Sequence, residues 1–184
     1  SVVEVPLDER LKIENELKRR LNKPVMHDDQ HGTAIVTLAA IINACRITGL
    51  QLKQSKMGQV GLGAAGSAIA RLALAYGVGQ VLVTDRSPEA MAPLIEAGAV
   101  ASDLDSILRE ADVVVCTTGK VGLIKPEQVR PGQVIFALSN PYPEIDPDVA
   151  GEPAEQGVEH QRVGTPWELV WRAGRARLGR LAAG

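Results

Sequence analysis

The turn Gly61-Leu62-Gly63-Ala64-Ala65-Gly66 constrains this chain more than any other feature. It follows a short run that reads as a strand, Lys56 to Val60, and opens a segment rich in Ala and Leu. That segment, Ala64 to Tyr76, has helical spacing and stops at Gly77. In a chain with 18 glycines such a spacing can arise by accident, so its position carries the weight. A glycine turn placed after a strand, before a helix and inside a βαβ unit is a dinucleotide-binding arrangement. Gly61 permits the tight turn, Gly63 lets the backbone approach a pyrophosphate, and Gly66 lets helix and strand pack closely. The pyrophosphate then sits on the positive end of the helix. The plainer alternative is a purely structural strand-to-helix connection.

The rest of the pattern agrees with the turn. Gln80 to Thr84 reads as a strand, Pro88 to Glu96 and Leu104 to Glu110 as helices. Asp112 to Cys116 and Gln133 to Leu138 are continuous apolar strands, the kind covered on both faces of a parallel sheet. The expected fold is therefore α/β, a doubly wound parallel sheet of Rossmann type with N-terminal helices and a C-terminal helix. Upstream, Asp8 to Leu21 carries Leu11, Leu17 and Leu21 amid charges, as a solvent-facing amphipathic helix would. Thr33 to Thr48 reads as a mostly buried helix stopped by Gly49. Beyond Pro147 the regularity fades. Gly151 to Gly164 reads as a surface segment, and Trp167 to Leu181 as an Arg-rich terminal helix.

Asp85 closes the second strand about twenty residues after the turn, where an acid accepts hydrogen bonds from the adenosine ribose and repels a 2′-phosphate. That favours NAD over NADP, although Arg86 beside it could accommodate the extra phosphate. Thr117 and Thr118, at the end of another strand, are candidates to touch the nicotinamide ribose. Lys120 could face the cofactor, but a solvated loop lysine is the simpler reading.

Composition closes off other classes. The net charge is -2 and aromatics make up 3%, which leaves neither the basic surface nor the stacking side chains of a nucleic-acid binder. The longest apolar run, Ala34 to Ala44, is short for a bilayer and is interrupted by Thr37 and Asn43. Cys45 and Cys116 stand far apart and read as reduced thiols. With an acidic N-terminal segment in place of a signal peptide, a soluble, cytoplasmic protein is expected.

His27-Asp28-Asp29-Gln30-His31-Gly32-Thr33-Ala34 is the most specific stretch. Adjacent carboxylates before a buried helix are costly to crowd unless a cation sits among them. Carboxylate oxygens suit Mg²⁺ or Mn²⁺ better than Zn²⁺. A helix-capping turn with solvated acids remains an equal alternative on chemistry alone. His27 and His31 are expected to hydrogen-bond or support structure rather than ligate metal.

The segment Pro24-Val25-Met26-His27-Asp28-Asp29-Gln30-His31-Gly32-Thr33-Ala34 closely resembles the signature of malic enzymes, the decarboxylating malate oxidoreductases. Gly63-Ala64-Ala65-Gly66 and Ala137-Leu138-Ser139-Asn140-Pro141-Tyr142-Pro143-Glu144-Ile145 resemble that family as well, in the same order. The resemblance spans about residues 10 to 148. It implies a mechanism in which a divalent metal chelates malate, hydride passes to the nicotinamide, and the metal stabilises the enolate as CO₂ leaves. It assigns Asp29 as a metal ligand, Asp28 as its hydrogen-bonding neighbour, and Asn140 to the nicotinamide and substrate. It also implies a homo-oligomer.

The chain departs from the family in three places. The catalytic tyrosine and lysine of malic enzymes lie in a separate N-terminal domain with no counterpart here. The Glu-Asp metal pair expected upstream falls on Val3 and Glu4, leaving Glu4 as the second candidate ligand. After Pro147 the family's Gly-Arg-Ser-Asp segment and Asn-Asn pair are missing. The expected division is an N-terminal helical segment (1–50) carrying the acidic turn, a dinucleotide-binding domain (51–150), and a divergent tail (151–184). The leading reading is the NAD-binding portion of a malic-enzyme-like oxidoreductase. A non-catalytic dinucleotide-binding or interaction module is the alternative, and a different dehydrogenase sharing only the Rossmann half is a third.

Overall fold

The computed structural model describes residues 7–145. Glu4, the Gly151 to Gly164 segment and the Trp167 to Leu181 helix expected from sequence lie outside the described residues. Five strands, β1 (Lys56–Val60), β2 (Gln80–Thr84), β3 (Val100–Ala101), β4 (Val113–Cys116) and β5 (Val134–Ala137), pair in the order β3-β2-β1-β4-β5. Every pairing is parallel. Between them run α3 (Ala64–Tyr76), α4 (Pro88–Glu96) and α5 (Leu104–Glu110), preceded by α1 (Leu7–Arg20) and α2 (Thr33–Thr48). The doubly wound parallel sheet anticipated from the apolar runs is thus the observed fold.

The alternation along each strand sorts side chains onto two cores. Met57, Val81, Val83, Val113, Val115, Val134 and Phe136 meet α2, α3 and α4 on one face. Val60, Leu82, Val114, Cys116, Ile135 and Ala137 meet Ile107 and Leu108 of α5 on the other. Both faces are covered, so no strand can afford a polar stripe, and β4 and β5 read as unbroken apolar runs. Gly58 lets α5 approach: a Cβ there would lie 2.2 Å from Ile107 Cγ2. α2 contributes Leu38, Ile41 and Ala44 to the same core as the sheet, so residues 33–48 are packed as part of the sheet's own layer.

A π-turn over Asp28–Gly32 runs directly into α2. Together they form a helix, Asp28–Thr48, long and apolar enough by length and composition to cross a bilayer. Its 21 residues exceed the run judged short from sequence. Ile41, Ala44 and Cys45 nevertheless pack into the core against the sheet, which is the place of a core helix.

Among the side chains described on and just after α1, Ile13, Leu17 and Leu21 are exposed and Glu14 is buried. Among the described side chains, an ionic contact ties this helix to the rest of the structure. Glu14 Oε1 takes Lys18 Nζ at 2.7 Å and His31 Nε2 at 2.8 Å, tying α1 to the acidic turn. Burial alone would raise the Glu14 pKa, but the hydrogen bonds and charges of Lys18 and His31 outweigh it and hold the carboxyl below its usual range.

Candidate functional site

The glycine turn lies at the C-terminal end of β1, between β2 and β4, where the strand order reverses direction and open α/β sheets hold their ligands. Its three glycines meet different demands. Gly61 has φ +86°, and a Cβ on it would come within 2.9 Å of Thr117 O. A Cβ on Gly66 would sit 2.0 Å from Gly61 O and 2.6 Å from Thr117 Oγ1, so the start of α3 rests on the turn itself. A Cβ on Gly63 would meet nothing within 4 Å. Gly63 therefore faces open space, as the backbone must where a ligand's phosphates approach. It is the N-cap of α3 with no side-chain cap, and no acidic residue stands in the helix's first turn. Ala64 and Ala65, part-exposed, complete that opening.

Asp85 is bound into the turn. Leu62 N–H donates to its Oδ2 at 2.6 Å and Ser87 N–H donates to its Oδ1 at 2.9 Å. The carboxylate thereby fixes the connection after β2 against the connection after β1. Each oxygen keeps a further lone pair for a ribose hydroxyl.

Beneath the turn lies a side chain that sequence reasoning did not single out. Gln59 is fully buried, and its Nε2 donates to Gly61 O and Thr117 Oγ1, both at 3.0 Å. Thr117 Oγ1 in turn donates to Gly61 O at 2.9 Å. The Thr117 hydroxyl, expected near the nicotinamide ribose, is engaged with the glycine turn. A cleft of about 510 Å³ opens beside Gly63 and Ser67, walled by Arg71 of α3 and by Glu14, Lys18 and His31. No motif pointed to Arg71 or Glu14.

At the C-terminal ends of β4 and β5 the loops are joined by Glu144, which is fully buried. Its Oε1 accepts from Thr118 N at 2.7 Å, Thr118 Oγ1 at 3.0 Å and Ser139 Oγ at 2.5 Å. Glu144 sits within the Ala137 to Ile145 motif, yet nothing in the motif distinguishes it from a solvated acid. Asn140 follows Ser139, is exposed, and precedes a cis bond to Pro141. Lys120 is exposed. Burial pushes the Cys116 thiol well up, and the Glu144 carboxylate adds to the effect.

The acidic turn is more open. Asp29 has 71% of its side chain exposed, and its Oδ2 lies 3.6 Å from His27 Nε2. Asp28 is exposed too. Among the described residues no three His, Cys, Asp or Glu side chains are grouped to hold a metal ion. Asp29 alone does not make a divalent-cation site.

Residues 25–121 match the family model of the NAD binding domain of D-isomer specific 2-hydroxyacid dehydrogenases. The chain is 58% identical over 139 residues to NAD-dependent malic enzyme 1 of Bacillus subtilis, which covers 75% of this chain and 32% of that protein. It is 36% identical over 156 residues to the NADP-dependent malic enzyme of Escherichia coli, covering 76% of this chain and 20% of the relative. The solved structure of the NAD-dependent malic enzyme of Thermotoga maritima superposes with a TM-score of 0.73 at 32% identity, covering 85% of this chain and 45% of that one. The chain belongs to the malic enzyme family, in its NAD-binding domain. The chain spans about a third of the length of its Bacillus subtilis relative.

Proposed function

We propose that this chain holds NAD across the C-terminal edge of its sheet, as the nucleotide-binding part of an enzyme that oxidatively decarboxylates malate to pyruvate and CO₂. The observation that carries the reading is the contrast within the turn. Gly61 and Gly66 are filled against backbone, while Gly63 is open above the N-terminus of α3. A turn built only to connect a strand to a helix has no need of an uncovered glycine beside a cleft. On this reading the pyrophosphate lies on the amides of Gly63, Ala64 and Ala65, where the helix dipole favours negative charge. Asp85 accepts the adenosine ribose hydroxyls. Asn140 meets the nicotinamide and the substrate.

The NAD-dependent relative at 58% identity supports NAD as the nucleotide. An acid already holding Leu62 and Ser87 cannot move aside for a 2′-phosphate without leaving two backbone donors unmet. Titration calorimetry with NADH, and NADPH as comparator, tests this. Micromolar binding that favours NADH is the expected outcome, and equal or absent binding of both overturns it.

We assign Asp29 one carboxylate of an Mg²⁺ or Mn²⁺ site, with Asp28 supporting it and Glu4 as a further ligand. The described residues do not complete that site, so no chemical step is routed through it. When bound, such an ion would polarise the 2-hydroxy acid. Asp29→Asn should leave NADH affinity within about twofold, because its side chain is 71% exposed and does not line the cleft beside Gly63. A large loss of NADH affinity would contradict the assignment. The catalytic acid and base belong, on this reading, to the part of malic enzymes that these 184 residues do not span. Both cysteines are free and buried, which supports a reducing, cytoplasmic setting. Exposed Ile13, Leu17, Ile35 and Ile47 on α1 and α2 support pairing with a second chain or domain.

A further inference from the structure

Glu144 is a carboxylate placed where packing alone would favour an apolar residue. It has no exposure to solvent, and every donor it meets in the described residues is neutral. Its Oε1 binds the Thr118 amide and hydroxyl on the β4 side and the Ser139 hydroxyl on the β5 side. Its Oε2 takes the Ser139 amide at 3.4 Å, and its own carbonyl takes Ile124 N–H at 3.1 Å. Ser139 Oγ also accepts Gly119 N–H at 2.8 Å, closing a ring between the two loops. Burying a charge is costly unless it is hydrogen-bonded, so an acid here is retained for the geometry its bonds impose.

Those loops leave the C-terminal ends of β4 and β5, the half of the sheet on the far side of β1 from Asp85. A dinucleotide lying across the crevice has its adenosine near β2 and its nicotinamide over β4 and β5. We infer that Glu144, through Thr118 and Ser139, is a positioning residue for the nicotinamide half of the cofactor. The inference rests on the cofactor reading given above. Glu144 touches neither the nucleotide nor the substrate. It acts by holding Thr118, Gly119 and the backbone next to Asn140 in one arrangement.

ADP-ribose contains the adenosine, the pyrophosphate and the second ribose but lacks the nicotinamide, so it separates the two halves of the site. In the full 184-residue chain, Glu144→Ala should lose roughly tenfold or more in NADH affinity, because several donors lose their acceptor. ADP-ribose affinity should stay within about twofold. Glu144→Gln, which keeps one acceptor oxygen, should recover part of the loss. Ser139→Ala, a smaller change, should shift NADH in the same direction, and it decides the matter if Glu144→Ala does not fold. Parallel losses of NADH and ADP-ribose would make Glu144 merely structural, and no loss of either would remove it from the site. Both results overturn the inference while leaving the cofactor reading standing. Failure of the unsubstituted chain to bind ADP-ribose overturns the cofactor reading and the inference together.

Discussion

Gly66 and Asp85 show how single atoms hold the turn in shape. A methyl at Gly66 would press on the carbonyl of Gly61 and the hydroxyl of Thr117, neither of which is the end of a flexible chain. Overpacking of that kind costs about 1–3 kcal/mol, and more where backbone must shift. Gly66→Ala should therefore lower the melting temperature by several degrees, measured by thermal unfolding. An unchanged midpoint would mean α3 does not rest on the turn. Asp85→Ala leaves Leu62 N–H and Ser87 N–H without their acceptor, at about 1–3 kcal/mol, and should weaken NADH more than NADPH. Gln59 belongs to the same scale. A glutamine in a strand reads as a solvent-facing position, and only the fold reveals that it points beneath α3 at Gly61 O.

At the scale of elements, the apolar patterns were legible because they report burial directly. α2, α3, α4, α5 and β2 fall on the segments read from sequence, and β4 and β5 lie one residue inside theirs. One strand was not legible. β3 is a two-residue strand at the sheet edge with both side chains exposed, so it leaves no apolar signal. α1 was legible as a helix, whereas the contact of its buried Glu14 with Lys18 and His31 was not. That contact predicts a pH dependence. The Glu14 carboxyl is held below its ordinary value in the folded chain, so its stabilisation is present above the unfolded pKa and is lost as pH falls through the lowered one. Amide exchange along Leu7–Arg20 should rise on acidification before exchange in α3 does. In Glu14→Gln it should be raised already at neutral pH. Uniform protection of both helices in acid would contradict the ionic docking.

The described residues form a five-stranded parallel sheet with helices on both faces, and Asp85 and Glu144 tie the loops at the C-terminal ends of its strands. Its malic-enzyme kinship was readable from three short motifs, because each demands particular residues at particular places. The path from those motifs to a working site was less readable, since it runs through Gln59, Glu14 and Glu144, polar side chains whose burial no spacing announces. The exposed apolar residues of α1 and α2 lie on the two helices that flank the acidic turn. The central claim is that the open face of Gly63 receives the cofactor's pyrophosphate. Titrating NADH into Gly63→Ala beside the unsubstituted chain tests it most directly, with melting temperatures taken on both. A Cβ at Gly63 meets no protein atom within 4 Å, so the fold should tolerate it, with stability changed by about 0.5 kcal/mol or less. NADH affinity should nevertheless fall by roughly tenfold or more, equivalent to about 1.4 kcal/mol. Undiminished NADH binding by Gly63→Ala would show that the phosphates do not lie on this turn.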